Sequence, residues 1–85
     1  MVKTPNQPYL SHLIHRDMNR IKSVLQERGI KQTWLAEKLE KSFNMVNEYC
    51  NNRRQPSLED LNRIAAILDV DVRELIASNK EENEK

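Results

Sequence analysis

The sequence predicts an all-α fold of five helices in one small domain. Its 85 residues are enough for one modest hydrophobic core. Apolar residues recur at helical spacing over most of the chain, and no segment alternates apolar and polar residues as a strand does. One glycine and three prolines are too few for the many tight turns of an all-β domain.

The first two helices are marked by apolar stripes. We expect helix 1 at about 17–28, with Asp17 near its start and Gly29 as its stop, since glycine readily takes the left-handed conformation that ends helices. Its stripe consists of Met18, Ile21, Val24 and Leu25. Helix 2 is predicted at about 32–39, and its stripe consists of Leu35, Ala36 and Leu39.

Serine caps mark the next two helices. Ser42 precedes helix 3, predicted at about 43–51, in which Val46 and Tyr49 face inward. Asn51-Asn52 suits the end of that helix because asparagine tolerates the left-handed conformation. Ser57 opens helix 4, and acidic residues in its first turn favour the helix dipole. Its predicted buried face consists of Leu58, Leu61, Ile64, Ala65 and Leu68.

Asp71 followed by Glu74 has the capping-box pattern and predicts helix 5 at about 72–78. Residues 78–85 are polar and charged, so we expect a flexible tail there. Residues 1–16 form an N-terminal extension ahead of the domain at 17–77.

Charge is distributed unevenly along the chain. Residues 1–54 contain ten Lys and Arg against five Asp and Glu, a balance of +5, whereas residues 55–85 contain four against eight, a balance of −4. Such asymmetry hints that one face meets a polyanion, and chance clustering is the alternative.

Other chemistries find little support. Cys50 is the single cysteine, so no internal disulfide forms, and His12 and His15 have no aligned further ligands for a metal. No Gly-rich phosphate loop or nucleophile–base spacing is present, so we expect neither an enzyme nor a cofactor. No apolar run reaches the roughly 18 residues of a membrane span, and the start lacks a signal-peptide stretch, so we expect a cytoplasmic protein.

The most informative segment is 32–51, where two short helices meet across a tight turn. Their apolar stripes must share one core, and the small Ala36 suits close packing of the two helices. One face of helix 3 is then left outside the core. This is the layout of a helix-turn-helix, in which the second helix enters the DNA major groove.

Over about residues 18–77 the sequence resembles the lambda-repressor-like (Xre) family of helix-turn-helix regulators. The matching segments are Gln32 to Leu39, Ser42 to Asn52, Gln55 to Leu61, and Ile64-Ala65 with Leu68 and Val70. The resemblance implies sequence-specific binding to double-stranded DNA.

Some positions depart from the family pattern. Glu40 stands where the family usually has glycine in the turn, which costs on the order of 1 kcal/mol if the turn is left-handed. Lys41 follows where an apolar residue is common, so we expect some distortion of the turn. Leu25 and Cys50 occupy positions where many members have an ion pair. Two apolar groups can replace a partly buried ion pair without loss of stability, so we expect Cys50 to be a small core residue.

Four residues are predicted to bind phosphates: Gln32, Asn51, Arg53 and Arg54. Five are predicted to read bases: Ser42, Phe43, Asn44, Asn47 and Glu48. Asparagine pairs bidentately with adenine, glutamate accepts from cytosine, and phenylalanine packs on a thymine methyl. Three alternatives stay open: Phe43 packs back across the turn, Glu48 repels phosphate and so excludes wrong registers, and the arginines are ordinary solvated side chains.

The resemblance also implies a homodimer on an inverted-repeat operator, with half-sites about 34 Å apart. The predicted dimer patch consists of Val70, Val72, Leu75 and Ile76, and the alternative is that these residues only close the monomer core. We expect Trp34 to pack against an amphipathic stretch at 9–14; the rival interpretations are a DNA-reaching arm and an extra dimer contact.

The sequence therefore indicates a small transcriptional regulator, which we expect to act as a DNA-binding repressor. The alternative is a protein-interaction module, such as the antitoxin of a toxin–antitoxin pair, whose main partner is a protein.

Overall fold

The computed structural model describes residues 17–79 as four α-helices and one short 3-10 helix. They are α1 (Ile21–Arg28), α2 (Gln32–Leu39), α3 (Phe43–Cys50), α4 (Leu58–Leu68) and the 3-10 helix η1 (Val72–Leu75). Between residues 17 and 79 there is no strand, only an isolated bridge that pairs Asn19 with Ile76. The predicted all-α class is confirmed. The predictions for 1–16 and 80–85 lie outside the described residues.

The count of five α-helices is wrong, because the fifth is the short η1. The Asp71 carboxylate accepts from the Arg73 backbone N–H at 2.8 Å, so its side chain does not form the predicted capping box with Glu74. The chain then becomes extended at Ile76, with φ −113° and ψ 130°. Pairing with the residues before α1 ends η1, since the Ala77 N–H donates to the Met18 carbonyl at 2.9 Å.

The start of helix 1 is also corrected, from residue 17 to Ile21. The backbone of residues 18–20 pairs with 75–77 instead of turning into a helix, and the Arg20 N–H donates to the Leu75 carbonyl at 2.8 Å. Asp17 therefore does not cap α1. Met18, predicted to be buried, is 61% exposed because it lies in this extended segment.

Leu58 is a second residue wrongly predicted to be buried. It is the first residue of α4 and is 72% exposed, because the part of the helix that enters the core begins one turn later, at Leu61.

The core is built from the predicted stripes of the helices. Helix α2 packs against α3 and α4, while α1 packs against α3 and η1. Each enclosed aliphatic side chain stabilises the fold by roughly 1.5–3 kcal/mol. The side chains with no or almost no exposure are Ile21, Leu35, Leu39, Val46, Ile64 and Leu75.

All four α-helices end in the same backbone motif. A residue with positive φ follows each helix, directly for α1, α2 and α4 and after Asn51 for α3, and the next N–H returns to a carbonyl about one turn back, as from Lys41 to Ala36 at 3.0 Å. The residues with positive φ are Gly29, Glu40, Asn52 and Asp69. Asn52 thus occupies the conformation predicted at the end of α3.

Candidate nucleic-acid interface

Helices α2 and α3 form a compact helix-turn-helix. The turn between them is Glu40-Lys41-Ser42, and the Ser42 hydroxyl accepts from the Met45 backbone N–H at 3.0 Å, which caps α3 as predicted. Leu35 and Val46 are fully enclosed between the packed helices. The opposite face of α3 consequently stays outside the core.

The turn keeps its left-handed residue without glycine, since Glu40 has φ 62° and ψ 41°. Lys41 is tied to α4 through an ion pair of 3.4 Å with Asp60. Arg63 pairs with the other Asp60 oxygen at 3.4 Å and donates to the Leu39 carbonyl at 3.2 Å. These contacts attach the turn to α4, so the expected distortion is replaced by a left-handed turn with polar tethers.

The predicted base-reading residues fall into two groups. Phe43, at 46% exposure, and the exposed Asn44 lie in the first turn of α3, next to Ser42. Asn47 and Glu48 are half-buried one turn further along.

The second group is engaged by neighbouring side chains. Asn47 Nδ2 donates to Gln32 Oε1 at 3.0 Å, and Asn51 Nδ2 donates to Asn47 Oδ1 at 3.2 Å. Glu48 Oε1 accepts from Arg54 Nε at 3.1 Å. The structure thus links three of the predicted phosphate-binding residues to two of the predicted base readers.

Arg53 differs from its neighbour Arg54. Both are exposed after α3, but Arg54 shares its charge with Glu48, whereas Arg53 has no ion pair among residues 17–79. Arg53 is therefore the more available cation for a polyanion.

A buried amide cluster at the end of α3 was missed by the sequence analysis. Asn19, which is 5% exposed, donates from Nδ2 to the Tyr49 carbonyl at 2.9 Å and to Gln55 Oε1 at 2.8 Å. Asn52 Oδ1 in turn accepts from the backbone N–H of Met18 at 2.8 Å and of Asn19 at 2.9 Å. Asn52 was noticed only as a helix end. Asn19 was not singled out, because two of its three side-chain partners, Tyr49 and Gln55, lie 30 or more residues away.

Leu25 and Cys50 are both buried in the common core, as predicted. Burial raises the pKa of the Cys50 thiol from 9.0 to about 11, and the positive charge of Lys22 lowers it only in part. The thiol is therefore neutral and unreactive near pH 7.

The predicted dimer residues differ in accessibility. Leu75 is fully enclosed in the monomer, so this residue closes the core. Val70 and Val72 are half-buried against the core, and Ile76 is 46% exposed. Of the four, Ile76 offers the most apolar surface to another molecule.

Trp34 lies on the outer side of α2 and is 40% exposed. The Lys38 ammonium lies 5.6 Å from the centre of its ring, a cation–π contact. The stretch at 9–14 predicted to cover Trp34 lies outside the described residues, as do His12 and His15.

Residues 17–79 were searched for metal-binding clusters and for membrane-spanning helices. They contain no cluster of three or more His, Cys, Asp or Glu side chains that is placed to hold a metal ion. They also contain no helix with the length and apolar character needed to cross a bilayer.

Comparison with known proteins agrees with this geometry. The sequence profile of the helix-turn-helix family matches residues 21–75. A crystal structure from Bacteroides fragilis, described as that of a "putative DNA-binding protein", is 47% identical in sequence and superposes with a TM-score of 0.70. The alignment covers 71% of this chain and 97% of that one. No curated protein matches the sequence. The profile match spans well over half of the chain, so the chain belongs to the lambda-repressor-like (Xre) family of helix-turn-helix DNA-binding domains.

Proposed function

We propose that the protein binds double-stranded DNA sequence-specifically as a small transcriptional regulator, with α3 in the major groove. The observation that carries this proposal is the outward face of α3. Phe43 and Asn44 stay exposed at its start, while its opposite face is enclosed against α2. A helix held in this way presents its first turns to base edges.

Phosphate contacts flank this helix in the proposal. Gln32 lies at the start of α2, where free backbone N–H groups favour an anion. Asn51, Arg53 and Arg54 follow at the far end of α3. Such contacts set affinity and register but carry no sequence information.

Base reading is assigned to the exposed face of α3. Asn44 has the donor and acceptor needed for adenine, and Phe43 has an apolar ring that fits against a thymine methyl. Ser42, Asn47 and Glu48 border these two residues. The ion pair with Arg54 occupies one carboxylate oxygen of Glu48 and offsets its negative charge. It therefore weakens both open roles of Glu48, acceptance from cytosine and exclusion of wrong registers by phosphate repulsion.

One helix reads only a few base pairs, so the proposed regulator acts as a homodimer on an inverted repeat. Ile76, together with the accessible parts of Val70 and Val72, is the proposed contact between protomers. In this proposal the dimer acts as a repressor by occupying its operator.

A protein-interaction module, such as an antitoxin, is the second candidate. It is favoured by a shallow groove lined by Gly29, Ile30, Lys31 and Trp34, where an aromatic ring faces solvent. The two candidates differ in what the purified protein does alone. A regulator enriches a defined duplex without any partner, whereas a module whose only role is protein binding does not.

The test is selection of bound duplexes from a random pool, followed by affinity measurements over a range of salt concentrations. We expect an inverted repeat to be enriched. Arg53→Ala should weaken binding to all duplexes and reduce the salt slope by about one. Arg73→Ala, which makes the same charge change in η1, is the matched control and should leave the slope unchanged. A pool that shows no enrichment at low salt would refute the proposal.

A further inference from the structure

The outward face of α3 has a free part and a tethered part. Asn44 makes no side-chain hydrogen bond within residues 17–79, and neighbouring Phe43 is nearly half exposed. One turn later, Asn47 has hydrogen bonds on both ends of its amide. The two asparagines on this face therefore differ in hydrogen bonding: the amide of Asn44 is free within the described residues and that of Asn47 is bonded.

The tethered part is a chain of three amides that runs in one direction. Asn51 Nδ2 donates to Asn47 Oδ1 at 3.2 Å, and Asn47 Nδ2 donates to Gln32 Oε1 at 3.0 Å. The side chains come from both helices of the helix-turn-helix, so the chain bridges α3 and the first residue of α2.

This arrangement does not suit Asn47 for reading adenine. Bidentate recognition needs the amide oxygen to accept from adenine N6 and the amide nitrogen to donate to N7. Each end of the Asn47 amide already has one partner inside the protein, and these two bonds hold the amide in one orientation, although one N–H and one oxygen lone pair remain. Turning the amide toward an adenine would break both bonds. Asn44 can pair with adenine without breaking any hydrogen bond seen within residues 17–79.

The direction of the chain determines what Gln32 presents. Because Gln32 Oε1 accepts from Asn47, the unused part of this amide is Nε2 with its N–H groups. A phosphate oxygen can only accept hydrogen bonds, so it matches a donor that is held in place. If the amide of Gln32 turned over, its acceptor oxygen would face the phosphate instead.

We infer that Asn47 is a positioning residue, which holds Gln32 with Nε2 toward a DNA phosphate, while base reading rests on Asn44. This inference depends on the proposed function. It divides the DNA-contacting surface of the helix-turn-helix into Asn44, which reads bases, and the Asn47–Gln32 pair, which orients a phosphate contact. It replaces the assignment of Asn47 as a base reader.

The experiment uses the selected duplex, a panel with each base pair substituted, and duplexes that carry one uncharged methylphosphonate at each position in turn. The full chain is compared with Asn44→Ala, Asn47→Ala, Gln32→Ala and the Gln32→Ala/Asn47→Ala double variant. Asn62→Ala, an exposed asparagine of α4, is the matched control.

We expect Asn47→Ala to weaken binding by about tenfold, by the same factor on every base-pair variant, since it loses an oriented hydrogen bond to a charged group. The double variant should bind no more weakly than Gln32→Ala alone. One duplex should carry its methylphosphonate at the phosphate that Gln32 contacts. On that duplex, neither Asn47→Ala nor Gln32→Ala should weaken binding further, because the bond they remove is already lost. Asn44→Ala should instead change the preference at individual base pairs.

Gln32→Met keeps the shape of residue 32 without its amide, and it should show the same methylphosphonate signature even if Asn47→Ala disturbs folding. A changed base preference in Asn47→Ala would overturn the inference, as would additive effects of the two single variants. The inference would also be overturned if Gln32→Ala still weakened binding on every methylphosphonate duplex. In each of these cases the full chain still selects a duplex, whereas failure of the proposed function appears as no selection at all.

Discussion

The two ends of α3 are held by different means. At its start, a left-handed turn at Glu40 and the hydroxyl of Ser42 fix the helix through bonds to backbone groups within a few residues. At its end, side-chain amides of Asn19, Asn52 and Gln55 connect the helix to a segment more than 30 residues away. The contacts of Lys41 and Arg63 also tether the turn before α3 to α4, but only the end of α3 depends on a side-chain cluster whose main partners are distant in sequence.

The difference bears on function because the two ends have different tasks in the proposed complex. The first turn of α3 presents free side chains, so its support comes from the backbone and leaves those side chains available. The last turn joins α3 to the Arg53-Arg54 segment, and the amide cluster sets where that segment lies. Three substitutions test this comparison, from the largest expected effect to the smallest, and a fourth tests the burial of Cys50 in the last turn of α3.

Asn19→Ala should lower the free energy of unfolding by about 2–3 kcal/mol, because it leaves buried partners without a hydrogen bond. Those partners include the Tyr49 carbonyl and the Ile21 N–H, which donates to Asn19 Oδ1 at 2.9 Å. Urea denaturation measures the change. Asn62→Ala, at an exposed position, is the control and should change the value by less than about 0.5 kcal/mol. A loss smaller than that of Ser42→Ala would reverse the comparison.

Ser42→Ala should cost about 1 kcal/mol, since the Met45 N–H loses its cap. Ser42→Gly should cost only a few tenths of a kcal/mol, because glycine is itself a tolerated cap residue. Thermal unfolding of the two variants side by side makes this distinction. Equal losses in both would mean that the hydroxyl is not what holds the first turn.

Glu40→Gly should raise the free energy of unfolding by about 1 kcal/mol, because φ is 62° there and glycine adopts this conformation without strain. Glu40→Ala is the matched control, since it removes the carboxylate and keeps the strain, and it should change stability little. The urea midpoint reports both. An equal gain in the two variants would assign the effect to the charge of Glu40 instead of its backbone.

The fourth prediction concerns pH and Cys50. Its pKa of about 11 in the folded protein lies above the ordinary 9.0, so folding favours the neutral thiol. The contribution of this group to stability is complete below about pH 9 and is lost as the pH rises toward about 11. The difference in unfolding free energy between the full chain and Cys50→Ala should therefore shrink over that range. Urea titrations from about pH 8 to about pH 11 test it. A constant difference would mean that the thiol titrates alike in the folded and unfolded states.

The sequence by itself determined α2, the start of α3 and the start of α4. Leu35, Ala36 and Leu39 share one face, while Ser42 and Ser57 each accept from an N–H three residues ahead. These features depend on helical periodicity and on bonds within one turn, so adjacent residues suffice to predict them.

Tertiary structure alone decided the beginning and end of the domain. Residues 18–20 pair with 75–77, which shortens α1, exposes Met18 and turns the predicted fifth helix into η1. The Tyr49 carbonyl that Asn19 contacts and the Gln32 amide that Asn47 contacts likewise belong to other elements. Such bonds depend on which segments the folded core brings together, and no local pattern of residues encodes that. The exposed face of α3 follows from its own sequence, but the division between its free and tethered asparagines follows from the fold.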